Sequence, residues 1–355
     1  MNRIKVLVVD DSAFMRKMIS DILNSDPFIE VIGTARNGKD GIDKMEKLSP
    51  DVITLDIEMP IMDGLTALKN IMDRNPLPVV MLSSLTQEGA ETTLKALQFG
   101  AVDFIQKPSG PISLDIEKIK ESIVRKVREA ASANIASMSK GNELTEPPSP
   151  LPLTVQTKAN KENRKTIVAI GVSTGGPRAL QQVLTQLPAD FPAPLVIVQH
   201  MPPKFTKSLA ERLDKLSAIT IKEAEHGELL QKGTAYIAPG DFHMKVKKIG
   251  MSLAANITKD QPIRGHRPSV DALFESISTL HGYKKILVVL TGMGSDGTHG
   301  MQVVKQEDPG TIAIAEASET SVVFGMPKSA IQTGLVNQVS PIQDISQSIL
   351  KAMEN

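Results

Sequence analysis

The sequence has no cysteine and no tryptophan, only 3% aromatic residues, and no net charge, with 40 Lys+Arg against 40 Asp+Glu in 355 residues. Without cysteine there is no disulfide, no thiolate metal site and no thiol nucleophile, a usage that fits a reducing compartment. A nucleophilic enzyme made from this chain must use Ser, Thr, Asp, Glu, Lys or His. Scarce aromatics argue against stacking platforms for single-stranded nucleic acid. Balanced charge removes bulk attraction to nucleic acid or to an anionic membrane. No stretch reaches the ~18 apolar residues of a membrane span. The N-terminal apolar run, Ile4 to Val9 with Lys5 inside it, is short for a secretory signal and stops at Asp10 and Asp11. These absences predict a cytoplasmic protein that neither enters membranes nor binds nucleic acid. What remains is an ordinary globular mixture, 41% hydrophobic and 23% charged, at a length that suggests two or three domains of roughly 150 residues.

Residues 1–130 alternate between two periodicities. Short β-rich apolar runs occur at 4–9, 28–35, 51–55, 78–82 and 102–106, and helical patterns lie near 13–25, 38–48, 64–75, 88–99 and 114–130. This (βα)5 alternation predicts a doubly wound parallel sheet. Residues 131–164 are Ala/Ser-rich, then carry TEPPSPLPL and KANKENRK. Prolines and missing periodicity make the segment a linker. A second α/β domain is expected over 165–355, with strands at 166–171, 195–199, 284–290 and 311–315. The stretch HMKVKKIGMSLAA, 243–255, reads as a hairpin turning near Gly250, and its insertion predicts a mixed sheet.

In the first domain Asp10 and Asp11 follow strand one, Asp56 strand three, Ser83 and Ser84 strand four, and Lys107 (with Pro108) strand five. A parallel sheet puts all these strand ends on one edge, so they converge on one crevice. Clustered carboxylates repel unless a cation neutralises them, and all-oxygen ligands with room for water and phosphate suit Mg²⁺. Lys107 and a serine hydroxyl would meet the remaining phosphoryl oxygens, with Asp56 as the nucleophile of an aspartyl phosphate. Singly, such an Asp is a helix cap and a Lys-Pro pair a turn; four furnished strand ends in one sheet make the site the better reading.

In the second domain three loops follow apolar strands: GVSTGGP (171–177), QHMPP (199–203) and TGMGSDGTHG (291–300). Ser173, His200 and Asp296 thereby fall on one edge. GVSTG fits G-x-S-x-G, a tight turn that exposes a serine and leaves amides for an oxyanion. His200 ends a buried-looking strand, where a general base can be held in orientation; spacing alone leaves His299 open as its rival. GMGSDG also fits the G-x-G-x-x-G dinucleotide fingerprint, with Glu316 about 20 residues on. That alternative is a dinucleotide-binding oxidoreductase domain. Against it, Asp296 would repel a pyrophosphate, and the fingerprint lies 120 residues inside its domain. A DNA-binding output is disfavoured because no basic recognition helix appears.

The first constellation resembles the receiver domains of response regulators. That resemblance implies metal binding by Asp10, Asp11 and Asp56, phosphorylation of Asp56, and switch roles for Ser83, Phe104 (the rotating aromatic) and Lys107. A receiver and linker followed by GVSTGG, VQHMP, TGMGSDG, APGDFHM, RPSVDALFES and FGMPKSA closely resembles the CheB family of chemotaxis protein-glutamate methylesterases along the whole chain. Val172 stands where many relatives have Ala. The resemblance implies a Ser173, His200, Asp296 triad with Thr174 and Met293 beside it. Amides near Thr174, Gly175 and Gly176, and around Gly292 to Gly294, would meet the oxyanion. It further implies Mg²⁺ for receiver phosphorylation and no cofactor for the ester chemistry. Expected partners are methyl-accepting chemoreceptors as substrates and a CheA-type histidine kinase as phosphodonor. Glutamine deamidation of receptors is the expected second activity. Arg264 and Arg267, flanking His266, form either a steering patch for an acidic receptor helix or a solvated basic loop.

Overall fold

The computed structural model describes residues 3–84, 86–107, 116–135 and 165–354. The chain divides into two compact units, Met1–Gly141 and Asn142–Asn355. Pro108 and the linker from residue 136 onward lie outside the described residues.

In the first unit, strands β1 (Ile4–Val9), β2 (Ile29–Ala35), β3 (Val52–Asp56), β4 (Val79–Ser83) and β5 (Asp103–Gln106) alternate with helices α1 (Ala13–Asn24), α2 (Gly38–Leu48), α3 (Gly64–Arg74), α4 (Gln87–Gln98) and α5 (Ile116–Ala131). The sheet order is β2-β1-β3-β4-β5 and every pairing is parallel. All five residues of β3 and of β4 are buried, as expected for strands covered by helices on both faces. Ser12, Asn37, Asp63 and Thr86 each accept a backbone N–H at the start of α1 to α4, which ends each loop at a defined residue. Strand order reverses between β1 and β3, opening a crevice at their carboxyl ends.

The second unit contains β6 (Lys165–Val172), α6 (Gly176–Leu184), β7 (Leu195–Gln199), α7 (Phe205–Asp214), β8 (Thr220–Glu223), β9 (Thr234–Ile237), β10 (His243–Ile249), β11 (Ser252–Thr258), α8 (Val270–Ser278), β12 (Tyr283–Val289), α9 (Thr298–Glu307), β13 (Ile312–Glu316), α10 (Met326–Gln332), β14 (Gln338–Ser340) and α11 (Ile345–Glu354). Its seven-stranded sheet runs β14-β13-β12-β6-β7-β9-β8, and all six pairings are parallel. This corrects the expectation of a mixed sheet. The predicted hairpin exists, but β10 and β11 form a separate antiparallel ribbon, whose β11 edge also bonds the 227–230 segment outside the main sheet. Its buried residues Met244, Val246, Leu253 and Ala255 join the core formed with α8, including Leu273, Phe274 and Ile277. The ribbon is therefore held by side-chain packing and by backbone bonds to the 227–230 segment, and not by ladder bonds to the main sheet. The chain starts in mid-sheet at β6, builds one flank, then returns to lay β12 on the other side of β6. That reversal makes the β6/β12 boundary the second crevice. Among the described residues no helix is long and apolar enough to cross a membrane.

Candidate active site

In the first unit, carboxylate oxygens of Asp10, Asp11 and Asp56 lie within 4.8 Å of one another. Asp10 and Asp56 are buried at the switch point, and Asp11 is exposed. Lys107 Nζ reaches across from β5 to Asp56 Oδ1 at 2.7 Å and Asp10 Oδ2 at 3.0 Å. Gly64 is required beside this site, because a Cβ there would run into the Asp56 carbonyl. Burial pushes the Asp56 carboxyl up to about 6 despite the Lys107 ammonium. Burial also works against the Lys107 charge, yet Asp56 and Asp10 hold the ammonium above its ordinary value. Asp56 Oδ2 is buried without a hydrogen-bond donor. Three clustered carboxylates with one orphaned oxygen are a donor set that fits a hard divalent cation.

Ser83 and Phe104, the residues expected to act as a switch, lie at β4 and β5. Ser83 is buried, its Oγ receiving the Thr93 hydroxyl at 2.6 Å and lying 3.3 Å from the Gly89 carbonyl, so β4 is tied to the first turns of α4. Lys107 N donates to Ser83 O at 2.7 Å, joining the lysine and the hydroxyl through adjacent strand ends. Phe104 is buried, with Lys126 Nζ 4.9 Å from its ring centroid.

In the second unit, Ser173 follows β6 and His200 follows β7. His200 N donates to Val172 O and Gln199 Nε2 to Ser173 O, which locks the two strand ends together. On the other side Ser173 N donates to Thr291 O at 3.0 Å. A Cβ at Gly292 would lie 2.7 Å from Ser173 Cβ, so the loop after β12 closes over the serine only because residue 292 is glycine. Ser173 thus occupies the crevice between β6 and β12.

His200 Nε2 is 2.8 Å from Asp296 Oδ2. Asp296 is 3% exposed, yet it is surrounded by donors: Val270 N at 2.7 Å on Oδ2, and Ser269 Oγ (2.9 Å), Asp271 N (2.9 Å) and Gly297 N (3.1 Å) on Oδ1. Burial alone would raise this carboxyl. The His200 bond and charge, with the Asp271 and Val270 amides, outweigh it and hold Asp296 well below the usual carboxylate range. An ionised carboxylate only accepts, so Nε2 carries the proton and Nδ1 the lone pair. His200 Nδ1 is buried and makes no hydrogen bond, hence none to Ser173 Oγ at rest; such bonds often close only when substrate arrives. The general serine-triad arrangement puts the carboxylate on Nδ1; here the two ring nitrogens are exchanged.

His299 stands apart from this set, half-exposed on α9 with Nε2 3.7 Å from Glu275. The dinucleotide alternative is not supported. The Asp296 carboxylate fills the turn with protein donors, and Glu316 is buried on Thr291 N (2.8 Å), where burial pushes it up to about 7, instead of facing a ribose. Two of the expected oxyanion amides are already committed, Gly176 N to Ser173 O and Gly292 N to Val323 O. Among the described residues Met293 N and Gly294 N donate to no backbone carbonyl, and Met293 is 42% exposed. Thr174 is buried, its carbonyl held by Thr291 Oγ1 at 2.9 Å. The basic loop is largely compensated: Arg267 contacts Asp241 Oδ1 at 2.6 Å, and Arg264 lies 3.6 Å from Asp271.

Sequence reasoning missed Gln199, Ser269, Asp271 and Thr291, which orient the site from behind. Ser269 carried a signal, since it caps α8 by accepting Ala272 N; its second bond, to Asp296, had none.

The sequence profile described as CheB methylesterase matches residues 168–349, and that described as response regulator receiver domain matches residues 6–119. The protein-glutamate methylesterase/protein-glutamine glutaminase of Oceanobacillus iheyensis is 53% identical over 354 residues, covering 99% of this chain and 100% of the relative. The protein of the same name from Geobacillus kaustophilus is 56% identical over 351 residues, covering 99% of each. Among solved structures, the Thermotoga maritima CheB methylesterase catalytic domain is 48% identical, with a TM-score of 0.51, covering 53% of this chain and 98% of that domain. With the CheB methylesterase profile over more than half of its length and full-length relatives at 53% and 56% identity, the chain belongs to the CheB methylesterase family.

Proposed function

We propose that the protein is a phosphorylation-activated protein-glutamate methylesterase that hydrolyses glutamate 5-methyl esters on chemoreceptors and deamidates receptor glutamines, in the cytoplasm. The observation that carries this is the His200–Asp296 pair beside Ser173, with Nδ1 as the only ring nitrogen left to act as base. Ser173 Oγ attacks the ester carbonyl while His200 Nδ1 takes its proton. The oxyanion forms against amides following Ser173 and those of Met293 and Gly294. His200 then protonates the departing methanol, leaving the acyl-serine. Water attacks that ester with the same nitrogen as base, and glutamate is released. With glutamine the leaving group is ammonia and the rest is unchanged. Asp296 keeps the Nε2–H tautomer and stabilises the imidazolium.

The domain boundaries of this reading are receiver 1–130, linker 131–164 and esterase 165–355. Asp10, Asp11 and Asp56 would hold Mg²⁺, which would supply charge neutralisation for a phosphoryl group, and Asp56 accepts that group from a CheA-type histidine kinase. Lys107 contacts the phosphoryl oxygens, and Ser83 and Phe104 report its presence. The test is methanol release from methyl-labelled receptor membranes, with and without a small-molecule phosphodonor. Release that rises with phosphodonor and Mg²⁺ is expected. No release under either condition overturns the reading.

A further inference from the structure

The hydrogen bond that His200 Nε2 donates to Asp296 anchors one end of the ring, but it leaves the ring free to pivot about that bond. The Cβ–ring torsion of histidine is broad, so packing must choose its value. The plane matters, because Nδ1 reaches the serine hydroxyl in only part of that range. Gln199 holds the His200 carbonyl and Asp296 holds Nε2, bonds made to the backbone and to one ring edge.

The face is covered by His266. The two imidazoles are stacked, with centroids 4.1 Å apart and planes 5° from parallel. The backbone is built to place this ring. Ile263 and His266 exchange both backbone hydrogen bonds, 3.1 and 2.9 Å, around a two-residue turn. Arg264 (φ 49°) and Gly265 (φ 81°) both occupy the left-handed region that such a turn demands. Three residues later the same segment supplies Ser269 Oγ, Val270 N and Asp271 N to Asp296. One stretch of chain, 263–271, therefore sets both the carboxylate at the edge of the base and the ring on its face.

We propose that His266 is a positioning residue, whose stacked ring fixes the plane of His200 so that Nδ1 faces Ser173. It donates no proton to substrate in this scheme. Its ring also lies against the imidazolium formed in the transition state, a contact that any π-face supplies. The inference rests on His200 being the base.

Methanol release by the full-length chain tests it, with melting temperatures recorded for every variant and S173A as the blank. His266→Ala and His266→Gln are expected to lose kcat on the order of 10²-fold with KM nearly unchanged, as a misoriented base does. His266→Phe, which keeps a planar ring without titrating, is expected to return kcat to within about tenfold of the unsubstituted chain. Full activity in His266→Ala, a Phe variant no faster than Gln, or an effect confined to KM would each overturn the proposal. If the Ala variant does not fold, the Phe and Gln pair decides alone. An inactive unsubstituted chain would instead count against the esterase reading itself.

Discussion

The two units each keep a buried aspartate at the switch point of a parallel sheet, and they treat it in opposite ways. Asp56 is raised to about 6 and retains an oxygen without a donor. Asp296 is held low, its two oxygens receiving bonds from Ser269, Val270, Asp271, Gly297 and His200. In the proposed function the Asp56 carboxylate must itself react, which needs an open valence, and burial that leaves one oxygen without a donor supplies one. A carboxylate that only steadies a charge needs none, and saturation makes it a fixed electrostatic element. The same fold position thus yields a reactive group or an inert one according to how many donors surround it.

The largest effects should separate the reacting residues from the supporting ones. Ser173→Ala and His200→Ala are expected to lower kcat by about 10⁶, and Asp296→Asn by about 10⁴, measured as methanol release. His299→Ala should be unchanged, since its neighbour is Glu275. If His299→Ala were inactive and His200→Ala active, the base has been misassigned.

Next comes the close contact between loops. Gly292→Ala puts a Cβ 2.7 Å from Ser173 Cβ and 2.6 Å from Met326 Sδ. Shifting the serine by even ~1 Å should lower kcat on the order of 10²-fold, and activity within error of the unsubstituted chain would show that the loops part freely.

The receiver's contribution is smaller. Asp56→Asn should lose acid-labile phosphate and with it an activation of about tenfold, which requires only ~1.4 kcal/mol of differential stability between states. Deleting residues 1–140 should release the same factor without phosphodonor; a fragment no faster than the unphosphorylated chain would rule out restraint by the receiver.

The smallest effects are thermal, and their signs differ between the two aspartates. Because the folded-state value of Asp56 is raised, the native chain holds a proton that the unfolded chain releases between 3.8 and about 6, so stability falls as pH rises through that window. Asp296 is lowered, so its contribution is present above the ordinary carboxylate value and is lost as pH falls below it. At about pH 7.5, Asp56→Asn should raise Tm and Asp296→Asn lower it, each by a few °C. Mg²⁺ must displace the Asp56 proton, so its gain in Tm, about 4 °C near pH 7.5, should shrink toward pH 5. Equal Mg²⁺ gains at both pH values would remove Asp56 from the metal site.

Much of this was legible one residue at a time. The five β/α repeats of the first unit were read to within a residue or two, because buried parallel strands are uninterrupted apolar runs and their helices begin at Ser12, Asn37, Asp63 and Thr86. Asp10, Asp11, Asp56, Ser83 and Lys107 announced themselves by position, since a strand end in a parallel sheet has one place to point. Ser173 and His200 followed by the same rule, whereas Asp296 lies in the loop between β12 and α9. The hairpin was legible too, but its pairing partner was not: alternation marks a strand without saying whether its neighbour is a ladder or a helix face.

What the sequence determined by itself, then, was which residues reach the two crevices, because strand periodicity and the ends of parallel strands are local properties of the chain. What only the tertiary structure decided was the state of each group once there. The exchange of His200 nitrogens, the saturation of Asp296 by α8, the commitment of the Gly292 amide and the ring of His266 over His200 all depend on atoms 25 to 96 residues apart. Donor count, burial and the plane of a ring are sums over such neighbours, and no window along the sequence contains them.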